Sequence, residues 1–82
     1  MNQHVAIRKA GNRYELGSLS KARLVQAVNE CRLRYATIQT HHFRSDDLPI
    51  YYVSLGTGAY GKQTAAAVQA SLRCPFFDAD RR

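Results

Sequence analysis

Residues 55–62 carry the densest glycine pattern in the chain and are the first candidate for chemistry. They read Leu-Gly-Thr-Gly-Ala-Tyr-Gly-Lys, which matches the Gly-x-Gly-x-x-Gly loop that covers the phosphates in protein kinases and, less closely, the P-loop. A P-loop needs a hydroxyl for magnesium directly after its lysine, and Gln63 stands in that place. A kinase loop continues into a strand, whereas this segment runs into the helix-forming alanines 65–67. We therefore interpret it as a strand-to-helix turn and not as a nucleotide site.

Residues 52–73 also resemble the C-terminal part of a double-stranded-RNA-binding domain. In that family a Gly-x-Gly segment leads to a basic residue and an alanine-rich helix, and Gly56, Gly58 and Lys62 occupy these positions here. The rest of the chain departs from the family, which has three strands between two helices where this sequence predicts two. Its pair of basic residues at the helix start is reduced to Lys62. We assign no family membership; the resemblance implies only that this helix start meets a phosphate.

Histidines and aspartates near the middle of the chain are the candidates for a metal or hydrolytic site. His41 and His42 are adjacent on a predicted strand, so their side chains point to opposite faces and only one can join a given site. Asp46 and Asp47 fall in a polar loop. This arrangement is typical of a solvated hairpin tip, and we predict neither a metal site nor catalytic residues.

The chain has two cysteines, Cys31 and Cys74. Secreted domains of this size that depend on disulfides usually carry four or more, and the Cys-x-x-Cys spacing of zinc sites is absent. We expect two reduced thiols in a cytoplasmic protein, with a single Cys31–Cys74 disulfide as the alternative. No run of residues reads as a signal peptide or a membrane span. Because no nucleophile, acid–base pair or cofactor motif is present, we predict a protein that is not an enzyme and needs no cofactor.

Basic residues give the strongest remaining signal. The 82 residues carry a net charge of +6, and residues 1–34 alone carry +5. Nine of the twelve basic residues are arginine, which suits bidentate contacts with phosphate or carboxylate. The candidate residues for binding an anionic partner are Arg8, Lys9, Arg13, Lys21, Arg23, Arg32, Arg34 and Lys62.

These observations lead to two expected functions. The first is a small non-enzymatic binding module that docks nucleic acid through an arginine-rich first hairpin and helix. The second is an inhibitor or adaptor of the kind encoded by phages and mobile elements, which binds an acidic protein surface or a host nucleoprotein complex. The second rests on size and class alone. A homodimer is compatible with both, because Ile50 and Tyr52 place apolar surface on the second face of their strand.

The first strands are predicted as a hairpin over residues 4–10 and 13–17, joined by Gly11-Asn12. A two-residue turn pairs Arg8 with Glu15 and Ile7 with Leu16. A helix follows over residues 20–33, with Ser18 or Ser20 as its cap. Its apolar side is predicted to be Leu24, Val25, Val28 and Cys31.

The second half repeats this order. Strands are predicted over residues 35–43 and 50–55, then a helix over 61–74 with Ala65, Val68 and Leu72 on its apolar side and Pro75 at its end. The fold class is α+β, a two-layer ββαββα sandwich with a four-stranded, mainly antiparallel sheet and two helices on one face. Residues 1–77 form one domain and 78–82 a frayed polar tail. Shared Ala, Val, Gln and Cys positions suggest duplication of 4–33 as 35–74, with coincidence as the other explanation.

Overall fold

The computed structural model describes residues 4–33, 37–41 and 50–78, which form five strands and two helices. In chain order these are β1 (Ala6–Ala10), β2 (Arg13–Ser18), α1 (Lys21–Glu30), β3 (Gln39–His41), β4 (Ile50–Thr57), α2 (Gly58–Leu72) and β5 (Phe76–Asp78). The sheet order is β3-β4-β2-β1-β5. The α+β class and the two helices are confirmed.

The predicted four-stranded, mainly antiparallel sheet is wrong in its number of strands. Phe76–Asp78 forms a fifth strand, β5, which runs parallel to β1 at the edge of the sheet. The order is therefore ββαββαβ and the sheet is mixed. After Pro75 the chain returns along β1, where the backbone N–H of Ile7 donates to the Pro75 carbonyl at 2.9 Å.

The first hairpin has the predicted register. Ile7 pairs with Leu16, Arg8 with Glu15, and Lys9 with Tyr14. Because side chains alternate along a strand, Ile7 and Leu16 face the core while Arg8 and Glu15 face the opposite side of the sheet. The short turn thus decides which side chains lie on the second face of the sheet.

Both helices cover one face of the sheet. Fully buried Ile7, Leu16 and Val53 from the strands meet Leu24 of α1 in one apolar cluster. Buried side chains of α2 complete the cluster at the predicted positions, which are Ala65, Val68 and Leu72. The second face, which we call the open face, has no helix packed against it among the described residues.

The helix ends and one helix face differ from the prediction. The first helix spans Lys21–Glu30 and the second spans Gly58–Leu72, so the second begins inside the glycine segment. Val25, predicted on the apolar side of α1, is exposed, whereas Ala27 is buried. The sheet covers only a narrow stripe of α1, and Val25 lies about 100° around the helix from Leu24.

Ser20 is the N-cap of α1 and is one of the two residues predicted for that position. Its hydroxyl accepts a hydrogen bond from the backbone N–H of Arg23 at 3.3 Å. The Ser18 hydroxyl stabilises the turn that precedes α1. It accepts a hydrogen bond from the Ser20 backbone N–H at 3.0 Å and donates one to the His4 carbonyl at 2.6 Å. The two serines therefore hold the start of α1 against the end of β2.

Replacing the capping serine should weaken the domain measurably. Ser20→Ala leaves a first-turn N–H without its side-chain acceptor, and we expect the free energy of unfolding to fall by about 1 kcal/mol. Ser20→Asp supplies an acceptor and should restore most of that loss. Urea denaturation followed by circular dichroism measures both variants. An unchanged midpoint for Ser20→Ala would show that the bond contributes nothing.

Candidate nucleic-acid interface

The open face contains a concavity of about 480 Å³, which we call the sheet-face concavity. Its floor is low because Ala6 of β1 pairs with Gly17 of β2, so the two central positions carry only a methyl group and a hydrogen. Gly17 pairs in turn with Tyr52 of β4. A Cβ on Gly17 would lie 3.3 Å from the Tyr51 carbonyl oxygen, in contact with the neighbouring strand.

Larger side chains form the walls of this concavity. Phe77 of β5 stands on one side with 59% of its surface exposed, next to Arg8 in the strand register. Tyr52 stands on the other side, and its hydroxyl donates to Gln39 Oε1 at 2.6 Å, which fixes the ring. Leu19 contributes an exposed apolar side chain at the end of β2. The walls therefore contain two aromatic rings, an exposed one at Phe77 and a half-buried one at Tyr52.

Arg8 and Glu15 are the charged residues that line the concavity. The Arg8 guanidinium Nη1 lies 3.6 Å from Glu15 Oε1, with the arginine side chain 45% exposed and the glutamate 11% exposed. This distance exceeds that of a direct hydrogen bond, so the pair is held mainly by charge. The guanidinium is therefore partly exposed to solvent, whereas the carboxylate is largely buried.

Two further candidate residues lie beside the concavity. Ser20 lines it, and Lys21 follows directly at the start of α1 with an exposed side chain. Arg23, also exposed, lines a small neighbouring groove, and His4 belongs to both depressions. The start of α1 adds the partial positive charge of a helix N-terminus to these two cations. The positive charge at this end of the sheet thus comes from several sources.

The other candidate residues that the structure describes do not line the sheet-face concavity. Lys9 faces the helix side, paired in register with Asp78, and Arg13 lies at the far end of β2 beside Thr57. Arg32 follows the end of α1 and Lys62 lies on α2, and neither residue lines the concavity. Arg34 lies outside the described residues. Among the described candidate residues, Arg8 lines the concavity, Lys21 follows the lining residue Ser20, and Arg23 lines the neighbouring groove.

The aromatic residues were missed as candidates from the sequence. Phe77 was predicted only to fold back onto the domain, and its position became clear through the pairing of β5 with β1. Tyr52 was placed on the second face of its strand, which is where the structure has it. The alternation of Tyr51 and Val53 with Tyr52 was the available signal for an exposed ring.

The glycine segment forms the junction between β4 and α2, and the two cysteines do not form a disulfide. Thr57 caps α2 without a side-chain hydrogen bond, and the backbone N–H of Gly58 donates to the Asn12 carbonyl at 2.8 Å. Cys31 and Cys74 are both free thiols. Burial raises the pKa of each thiol above its ordinary value, so both are protonated at neutral pH.

The histidine and aspartate candidates lie largely outside the described residues, since these exclude His42, Asp46 and Asp47. Within residues 4–33, 37–41 and 50–78, no three His, Cys, Asp or Glu side chains come close enough to hold a metal ion. The same part of the chain contains no helix of the length and apolar character needed to span a bilayer.

Comparison with known proteins supplies no relative. No family model, no curated protein and no solved structure matches this chain significantly.

Proposed function

We propose that this protein is a small non-enzymatic nucleic-acid-binding module and that the open face of its sheet is the binding surface. The observation that carries the proposal is the combination on one surface of a cationic guanidinium, Arg8, with the exposed ring of Phe77 and the half-buried ring of Tyr52. Aromatic rings provide stacking surfaces for bases, and basic side chains contact the phosphates.

Charge placement supports the same surface. The overall charge of +6 draws polyanions from a distance, but it does not select a site. Lys21 and Arg23 extend the charge of Arg8 around the end of the concavity where α1 begins. A nucleic-acid strand that crosses the open face meets Arg8 there and reaches Lys21 and Arg23 only at the start of α1, on the helix side of the sheet.

Salt dependence tests the proposal. Binding of a labelled mixed-sequence oligonucleotide should weaken linearly on a log–log plot between 50 and 200 mM salt. The slope should be about −2 for three phosphate contacts at about −0.7 each. The double variant Lys21→Gln/Arg23→Gln should reduce the slope by about 1.4. Fluorescence anisotropy measures both quantities.

A matched variant separates a site from general charge. Arg32→Gln/Lys62→Gln also removes two positive charges, but from residues that do not line the concavity, and it should leave the slope nearly unchanged. Equal effects of the two double variants would show that only net charge matters. Failure to bind DNA or RNA at 50 mM salt would contradict the proposal.

A protein partner is the second candidate function. The observation that favours it is the apolar surface of the open face, where Leu19 is 65% exposed and lies in the same concavity as Ile50 and Phe77. An acidic protein with an apolar anchor would use this surface together with Arg8. If oligonucleotides fail to bind and a purified partner is retained after nuclease treatment, this candidate replaces the first.

A further inference from the structure

We infer that the open face binds single-stranded rather than duplex nucleic acid, with unpaired bases stacked against Phe77 and Tyr52 on opposite walls of the sheet-face concavity. This inference rests on the proposed function and specifies its substrate class. It concerns residues 52 and 77, neither of which carries charge.

The shape of the concavity favours an unpaired base. Ala6 and Gly17 leave a low floor between the two walls, and the volume of about 480 Å³ is that of a site for a small planar molecule. A duplex exposes only the edges of its bases, because their flat surfaces are covered by the neighbouring pairs. An unpaired base offers a flat surface that stacks on an aromatic side chain.

The spacing of the rings indicates more than one base. Phe77 belongs to β5 and Tyr52 to β4, which are separated by β1 and β2. Three strand spacings amount to about 14 Å, so the two rings contact different bases of one strand. The hydrogen bond from Tyr52 to Gln39 holds its ring in place before binding, so less side-chain freedom is lost on stacking.

The charges around the concavity match a single strand that passes over it. Arg8 lies beside Phe77 in the strand register, and Lys21 follows Ser20 at the opposite rim. Phosphates on either side of a stacked base therefore meet cations. Glu15, which would repel phosphate, is only 11% exposed and lies against Arg8, so its charge is directed at the guanidinium.

The wild-type protein provides the first test. By fluorescence anisotropy at 100 mM salt, it should bind a labelled 15-nucleotide single strand tenfold or more tightly than a hairpin whose duplex stem contains that sequence. Equal or tighter duplex binding would overturn this inference and leave the proposed function standing. Absence of binding to either form would overturn both.

Two variants locate the stacking site. Phe77→Ala should weaken single-strand binding about tenfold without changing the salt slope, because a ring and not a cation is lost. Gly17→Val keeps every ring and charge but fills the floor of the concavity, and it should weaken binding to a similar extent. Circular dichroism confirms that each variant is folded.

Tyr60→Ala is the matched control. Tyr60 is 72% exposed, but it lies on α2 in the helix layer and does not line the concavity. Its removal should leave single-strand affinity unchanged. If Phe77→Ala and Gly17→Val both bind as well as Tyr60→Ala, the sheet-face concavity is not where bases stack, and the inference is wrong.

Discussion

Gly61→Ala should strongly destabilise this domain. A Cβ at position 61 would lie 2.5 Å from the carbonyl oxygen of Gly56, 2.6 Å from its carbonyl carbon and 2.9 Å from Cδ1 of Tyr14. Two of these atoms belong to the backbone of β4 and cannot rotate away. Relief requires α2 to move off the sheet, and we expect the free energy of unfolding to fall by about 3 kcal/mol.

Gly58→Ala separates this contact from the effect of backbone conformation. Gly58 has φ of +60° and no atom within 4 Å of the position of a new Cβ, so alanine there meets only the left-handed backbone penalty. That penalty is about 1 kcal/mol. In thermal unfolding, with about 4–8 °C for each kcal/mol, Gly61→Ala should melt at least 8 °C below Gly58→Ala. Equal melting temperatures would show that the close approach at Gly61 is not restrictive.

The same contacts explain why the glycine segment resembles a phosphate loop. Gly56 and Gly58 provide positive φ at the junction of strand and helix, and Gly61 allows α2 to approach β4 and Tyr14. Phosphate loops use glycines for the same tight turn and close approach. The pattern therefore indicates the geometry of the backbone, and it carries no specific information about a nucleotide.

Leu24→Ala is expected to produce the second large effect. Leu24 is completely buried and is, with Ala27, one of only two fully buried side chains that α1 contributes to the core. Removing it leaves a cavity where α1 meets the sheet, and we expect a loss of about 3 kcal/mol. Small domains have only about 0.05–0.15 kcal/mol of stability per residue, so a large fraction of the total is lost.

Val25→Ala provides the control for Leu24→Ala. Val25 is its neighbour on α1 but is 39% exposed, so its truncation creates no comparable cavity. We expect a change within about 0.5 kcal/mol. Urea denaturation with a constant m-value measures the difference. Similar losses for both variants would mean that α1 packs through a broader surface than the structure shows.

Local features were predictable from the sequence. The hairpin register follows from a two-residue turn and from side-chain alternation over only a few residues, and the structure has the same pairs, Arg8 with Glu15 and Ile7 with Leu16. The apolar side of α2 was likewise predictable, since Ala65, Val68 and Leu72 follow the helical repeat. Both predictions depend on contacts between residues close in the chain or on one helix.

The position of β5 and the burial of Gly61 depend on tertiary contacts and could not be predicted from the sequence. Phe76–Asp78 is three residues long and has no readable period, so its parallel pairing with β1 depends on where α2 delivers the chain. That pairing places Phe77 beside Arg8. The burial of Gly61 depends equally on the approach of α2 to β4.

The sequence alone determined that the chain is basic and that its charge is concentrated in the first 34 residues. Composition and short-range spacing are sufficient for those conclusions. The sheet-face concavity was decided only by the tertiary structure, because Ala6, Gly17, Tyr52 and Phe77 come from four strands. Their alignment depends on strand order and register, which are set by long-range packing and not by the local residue pattern.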